Sequence, residues 1–396
     1  MAERDATSAK SKMIGRERVV TSLAHQKPDR VPLDIGATNA TGIHLGAYRE
    51  LRRVVEGADA AEADVPLLNP ISGCVIPEEW ILRALSVDVR GYIPRARSGA
   101  VHLRDGSQYV IDELGAQWVS SAGELYFDQR TGCHPLNQWA GDADVKNYPW
   151  PKGEECLTSE ALGGWLDACP ADCATAIGDP VGGILFAGIR LRGFARFMVD
   201  LLRNPKLACG LMDRVTEIRI QYWDAVFEIG GGRIDVVVLE EDLGGQDRLL
   251  VSPDTYRRLI KPRHKRLLAF IRSRGGPSTR IMFHSDGAIF ELIPDLIELG
   301  VDVLNPIQTS AAGMEPRTLK KRFGKDLAFW GGGVDVQSTL VRGTAADVRA
   351  EVCGSIEALA PGGGFVFSAT QNMQPDVPPR NIEAMVEALL RYGSYT

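Results

Sequence analysis

The chain has 396 residues, 44% of them hydrophobic and 24% charged, and a formal net charge of -6. Such a composition can bury a large core and excludes a disordered or fibrous chain. The acidic balance, with Lys and Arg scattered among Asp and Glu, argues against a nucleic-acid-binding surface. No run reaches the roughly 18 apolar residues of a membrane span. The polar start, MAERDATSAKSKMIGRER, lacks the apolar core of a signal peptide. The cysteines are Cys74, Cys133, Cys156, Cys169, Cys173, Cys209 and Cys353. An odd set with no leader points to a reducing cytoplasm. Cys169 and Cys173 read as thiols on neighbouring helical turns or in a loop, because no second cysteine pair completes a tetrahedral metal set.

In chain order, Gly15–His25 reads as a helix and Pro28-Asp29-Arg30 as a turn. VPLDIG, Val31–Gly36, then reads as a buried strand running into a loop rich in Thr, Asn and Gly. The stretch 37–170 offers a strand over Leu85–Arg90 and a hairpin in VHLRDGSQYVIDELG, with Asp105-Gly106 as its turn. We expect it to elaborate a single domain spanning 1–396. Farther on, ILFAG (Ile184–Gly188) is a strand candidate, followed by helices through Phe194–Leu201 and Leu211–Glu228. Short apolar runs recur at DVVVLEED from Asp235, IMFHSDG from Ile281, VDVLNP from Val301, LAFWGGG from Leu327 and GFVFSAT from Gly364. Helical patterns fill the gaps, with ELIPDLIELG and NIEAMVEALL the clearest.

Continuous rather than alternating apolar strands mean burial on both faces, as in parallel α/β proteins. No GxGxxG or Walker A motif appears, and the glycine triplets at 331–333 and 362–364 read as tight strand exits or entries. Polar residues recur at strand carboxyl ends along the whole chain. That favours a closed (β/α)8 TIM barrel with an amino-terminal elaboration, which gathers those ends at one mouth.

The sharpest local feature is His284-Ser285-Asp286-Gly287, at the end of an apolar strand. Residues two apart in an extended segment face the same way, so His284 and Asp286 point together. They suit two ligands of a divalent ion, an acid–base dyad, or a hydrogen-bonded pair sealing the strand end. Glu240, Glu241 and Asp242 close the preceding strand. Glu240 and Asp242 share parity, and that much negative charge in a pocket calls for a metal, a basic substrate or a raised carboxylate pKa. Glu240 is the candidate third metal ligand and a catalytic residue beside His284 and Asp286. Neutral or acidic arms for substrate binding are Asp242, Gln246, Asn305, Gln308, Asp335, Gln337, Gln371 and Asn372. No G-x-S-x-G elbow supports a serine hydrolase.

Read together, RERVVTSLAHQKPDRVPLDIG, EEDLGGQDRLLVSPDTYRRLIKPRHKRLL, MFHSDGAIFELIPDLIELGVDVLNPIQ, FWGGGVDVQSTL and GGGFVFSATQNMQPDVPPRNIEAM resemble the uroporphyrinogen decarboxylase-like superfamily. The resemblance is nearer to its branch associated with corrinoid-dependent methyl transfer. It implies a (β/α)8 barrel, a homodimer, and methyl transfer from a small methoxylated donor to a corrinoid (cobalamin) on a separate partner protein, or to tetrahydrofolate. The alternative it leaves is a decarboxylase or other lyase acting on a small carboxylate. Uroporphyrinogen itself fits less well: the arginine-rich segment of true decarboxylases is missing around Pro32–Ala37, and Gln371 stands where they tend to carry His. The branch's zinc-binding His-x-Cys is here His284 and Asp286, with no thiol near Ser368–Gln371. The site is therefore expected to hold zinc or another divalent ion through oxygen ligands, or to work without metal.

Overall fold

A computed structural model describes residues 12–56, 64–94, 102–104, 107–121, 124, 127–130, 132–138 and 141–395. Its centre is a seven-stranded parallel sheet. In chain order the strands are β1 (Val89–Tyr92), β2 (Ala174–Gly178), β3 (Val236–Glu240), β4 (Arg280–His284), β5 (Val303–Asn305), β6 (Ala328–Trp330) and β7 (Phe365–Val366). Each pairs with its sequence neighbour, so β1 and β7 are the edges.

Side chains alternate between two cores. Ala174, Ala176, Val236, Val238, Met282, Val303, Ala328, Trp330 and Val366 form an inner cluster with Val19 and Leu23 of the helix Gly15–Leu23. The intervening residues Ile177, Val237, Leu239, Ile281, Phe283, Leu304 and Phe329 face an outer cluster shared with the flanking helices. The inner face is mostly Ala and Val, with Met282 and Trp330 as its large members, and the sheet curls around that interior. The first helix plugs the amino-terminal end: Arg16 pairs with Asp235, Arg18 with Asp88, and Ser22 Oγ donates to the Phe365 carbonyl.

The expected closed eight-stranded barrel is not formed; the curled sheet stays open as a half-barrel. Val31–Gly36, read as the opening strand, makes only an isolated bridge, Leu33 to Phe367. On the other side the Asp88 amide donates to the Leu33 carbonyl at 2.9 Å. The Leu33 amide, however, goes to the Asp88 carboxylate at 2.8 Å rather than to a backbone partner. Pro32 has no N–H to offer, and the chain turns away at Gly36 (φ 89°). A ladder cannot propagate through that sequence.

Two further elements differ from expectation. Ile184–Gly188 lies within a helix, Ile184–Arg192, and Leu85 follows a short helix, Glu79–Ala84, with β1 beginning only at Val89. The inserted segment holds a three-stranded antiparallel sheet of His102–Arg104, Ser107–Ile111 and Gln117–Ser120. Its first two strands pair in register from Arg104 and Ser107; the expected Asp105-Gly106 turn lies outside the described residues. The glycine triplets fall immediately after β6 and before β7. Among the described residues no helix is long and apolar enough to cross a membrane.

Candidate active site

Register brings the chemistry together. Glu240 at the end of β3 pairs with His284 at the end of β4, which pairs in turn with Asn305 at the end of β5. His284 Nδ1 lies 2.7 Å from Asn305 Oδ1, and Asn305 Nδ2 donates to the Trp330 carbonyl at 3.0 Å. The amide can present its NH2 to that carbonyl only if its oxygen faces the ring. Nδ1 therefore carries the proton and donates, and Nε2 is left to face Asp286 Oδ2 at 3.8 Å.

The loops after β3 and β4 are stitched to each other. Leu243 N donates to Ser285 Oγ at 3.0 Å, and Asp286 N approaches Asp242 Oδ1 at 3.5 Å. Gly287 (φ 86°) permits this approach, since a Cβ there would lie 2.4 Å from the Gly244 backbone. Gln371 Nε2 steadies Asp286 by donating to Oδ2 at 2.8 Å. The result is a cluster of Asp242, His284 and Asp286 whose ligand atoms all lie within 4.8 Å of one another. Glu240, expected as the third ligand, instead accepts from Asn39 Nδ2 at 3.1 Å, and Asp242 takes its place in the cluster.

The cluster carries excess negative charge. Burial, and repulsion from Asp286 and Glu241 against the pull of His284, push Asp242 up to about 6. Burial also raises Glu240, although His284 draws it down. Burial opposes charge on His284, but Asp286, Asp242 and Glu240 outweigh it and hold its pKa above the ordinary value. Glu241 points elsewhere. Its carboxylate accepts from the amides of Ile184, Leu185 and Phe186 at 2.7, 3.1 and 3.0 Å and faces His264 Nε2 at 3.0 Å. Burial would raise it, yet His264 and those amides keep it below the usual carboxylate range. It caps the helix Ile184–Arg192.

A cavity of about 220 Å³ borders the cluster at Asp242 and His284, with Asp286 outside its lining. His284, Asp242 and Glu240 line it, with Asn39, Glu113, Trp118, Asp179, Phe186 and Arg190. None of these last six was a candidate from the sequence. Arg190 and Phe186 sit in the helix Ile184–Arg192, Trp118 on the last strand of the inserted sheet, and Glu113 on the turn that precedes that strand. Arg190 is paired with Asp112 at 3.2 Å, and Asp179 with Arg219 at 2.7 Å.

The other sequence candidates lie around the cavity. Asn305 and Gln371 orient His284 and Asp286 from behind, and Asn372 Nδ2 donates to the Asn39 carbonyl at 3.4 Å. Gln308 accepts from Gly287 N at 2.8 Å and donates to Gln246 at 3.1 Å. Asp335 accepts from the amides of Gln337 and Ser338, and Gln337 faces Ser310. These groups shape loops outside the cavity lining.

A family profile, uroporphyrinogen decarboxylase (URO-D), matches residues 181–392. A uroporphyrinogen decarboxylase from Tolumonas auensis is 22% identical over 395 residues, covering 96% of this chain and 98% of the relative. One from Coxiella burnetii is 21% identical over 387 residues, 95% of each chain. Among solved structures, a methyltransferase from Methanosarcina mazei superposes with a TM-score of 0.63 over 96% of this chain and 99% of that one, at 19% identity. That likeness is one of fold.

Proposed function

The chain belongs to the uroporphyrinogen decarboxylase family, and from that premise we propose that it is a lyase removing carbon dioxide from a small carboxylate. The observation that carries this reading is the Asp242, His284, Asp286 cluster, of which Asp242 and His284 line a small cavity. Carboxylates this close repel each other unless a cation sits between them. The donor set fits a divalent ion: His284 turns its bare Nε2 toward the acids while Asn305 takes the other ring proton, the arrangement common behind metal-bound imidazoles. Two carboxylates and one imidazole, with no thiolate, suit magnesium or manganese at least as well as zinc. When bound, such an ion supplies a Lewis acid for a substrate oxygen and offsets the negative charge that carbon–carbon cleavage leaves behind.

Cavity size and charge define the substrate. At about 220 Å³ the space falls below the roughly 300–1,000 Å³ of drug-sized ligand pockets. Arg190 is the one cation lining it among the described residues, and Asp112 already pairs with it. An eight-carboxylate tetrapyrrole needs far more positive charge than that. The test is to load the purified chain with Mg²⁺ or Mn²⁺, offer small 2-oxo, 2-hydroxy and aromatic carboxylates, and follow carbon dioxide release. Turnover abolished by EDTA is expected; no release from any acid by metal-loaded protein removes the lyase reading.

The fold likeness to a methyltransferase supports a second reading. There the same cluster would protonate or polarise a methoxy oxygen while a corrinoid on a separate protein, or tetrahydrofolate, accepts the methyl group. Methoxylated compounds with reduced corrinoid, followed by the corrinoid spectrum, decide between the two.

A further inference from the structure

The inserted antiparallel sheet lines the cavity with Val110, Trp118 and Glu113, the last on a turn that is tightly built. Asp112 Oδ1 accepts from the amides of Leu114 and Ala116, both at 2.9 Å, and Oδ2 accepts from Trp118 Nε1 at 2.9 Å. The Asp112 amide donates to the Ala116 carbonyl and the Gly115 amide to the Asp112 carbonyl, each at 2.9 Å. Arg190 pairs with the same aspartate, and the Tyr148 hydroxyl donates to the Leu114 carbonyl. The turn therefore presents Glu113 in a fixed position on the cavity wall, sharing the space with His284 and Asp242. Asp112 and Arg190 are committed to each other; no other side chain among the described residues hydrogen-bonds the Glu113 carboxyl.

We propose that Glu113 is the group that exchanges a proton with substrate carbon in this cavity. The inference rests on the lyase reading only in taking the substrate carbon to carry an electron pair. In that reaction the bond from carbon to the carboxylate breaks, carbon dioxide leaves, and the electron pair stays on carbon. A new C–H bond forms with the Glu113 proton, and the resulting carboxylate regains a proton from water. No oxidant or reductant is needed. The electrostatics suit the task. Burial and the adjacent Asp112 charge, with a smaller push from Asp179 and against the pull of Arg190, raise Glu113 to about 7. A carboxyl poised there both gives and takes protons near neutral pH.

The test uses the full chain loaded with Mg²⁺ and pyruvate as probe, whose methyl protons are exchanged for deuterium in D₂O and followed by proton NMR. The wild type should accelerate exchange, with a rate that rises through about pH 7 as Glu113 loses its proton. Glu113→Gln should slow exchange by about 100-fold and flatten the pH profile, while Glu113→Asp retains part of the rate. Metal affinity and the thermal midpoint of Glu113→Gln should match the wild type, which separates a proton-transfer role from a structural one. Equal exchange by Glu113→Gln, or no acceleration by the wild type, overturns the proposal. Carbon dioxide release at an undiminished rate by Glu113→Gln would also defeat it and leave the lyase reading standing. The reverse pattern, Glu113-dependent exchange without carbon dioxide release from any acid, defeats only the lyase reading.

Discussion

Asn305 decides which nitrogen of His284 is available. Its carboxamide oxygen sits 2.7 Å from Nδ1, and its own NH2 is held on the Trp330 carbonyl, so the ring can be neither flipped nor re-tautomerised without breaking a buried hydrogen bond. Asn305→Ala should lower Mn²⁺ affinity by about 10- to 100-fold, the usual cost of losing such an orienting partner. Imidazole nitrogen NMR should then show mixed tautomers where the wild type shows one. Unchanged affinity with a single retained tautomer would make Asn305 a bystander.

Metal binding also separates the acids. Asp242→Asn and Asp286→Asn should each reduce Mn²⁺ affinity by at least about tenfold, whereas Glu240→Gln, whose carboxylate is turned to Asn39, should leave it near the wild-type value. Cys169→Ala and Cys173→Ala should also change little, because both thiols precede β2 and lie at the end of the sheet away from the cluster. Calorimetric titration of the variants checks this. Loss of binding in Glu240→Gln with retention in Asp242→Asn would reassign the third ligand.

Why some of this was legible and some was not comes down to the range of the interactions. His284 and Asp286 stand out because a short polar motif ends an unbroken apolar run, and their shared direction follows from strand geometry alone. The parity argument for Glu240 and Asp242 needs only the chain itself, yet it cannot say that Asn39 would claim Glu240. Ile184–Gly188 is apolar on every side, so periodicity cannot tell strand from helix. Glu241, far away in sequence, settles it by capping the helix. β2, with the sequence ATAIG, has too few large or β-branched residues to announce itself. The closed barrel failed for a similar reason: Asp88 takes the Leu33 amide, a contact that no local pattern encodes.

Glu241 should matter for stability more than for metal. Its buried carboxylate satisfies backbone amides at the start of the helix Ile184–Arg192 and faces His264, whose other ring nitrogen meets the Tyr256 hydroxyl at 3.1 Å. Glu241→Gln removes the charge and places an NH2 against donors. A loss of about 3 kcal/mol is expected in urea unfolding, as for other broken buried charge networks. Because that helix carries Phe186 and Arg190 on the cavity wall, turnover should fall with it. A loss under about 1 kcal/mol would mean the cap is dispensable.

Asp34 gives a pH signature of its own. It is fully buried, and burial pushes it up to about 6 from an ordinary value of 3.8, even though Thr41, the Trp330 indole N–H and the Ala37 amide favour the charged form. The folded state thus holds a proton that the unfolded chain releases first. Its contribution to stability is complete below about pH 3.8 and is lost as pH rises through about 6. At one pKa unit per roughly 1.4 kcal/mol, the loss amounts to about 3 kcal/mol. Asn cannot ionise, so the stability of Asp34→Asn relative to the wild type should improve by that order between pH 4 and 7, whatever its offset at the acid end. Chemical denaturation of both proteins across that window measures it. A difference that stays flat with pH would show that Asp34 titrates alike in the folded and unfolded chain.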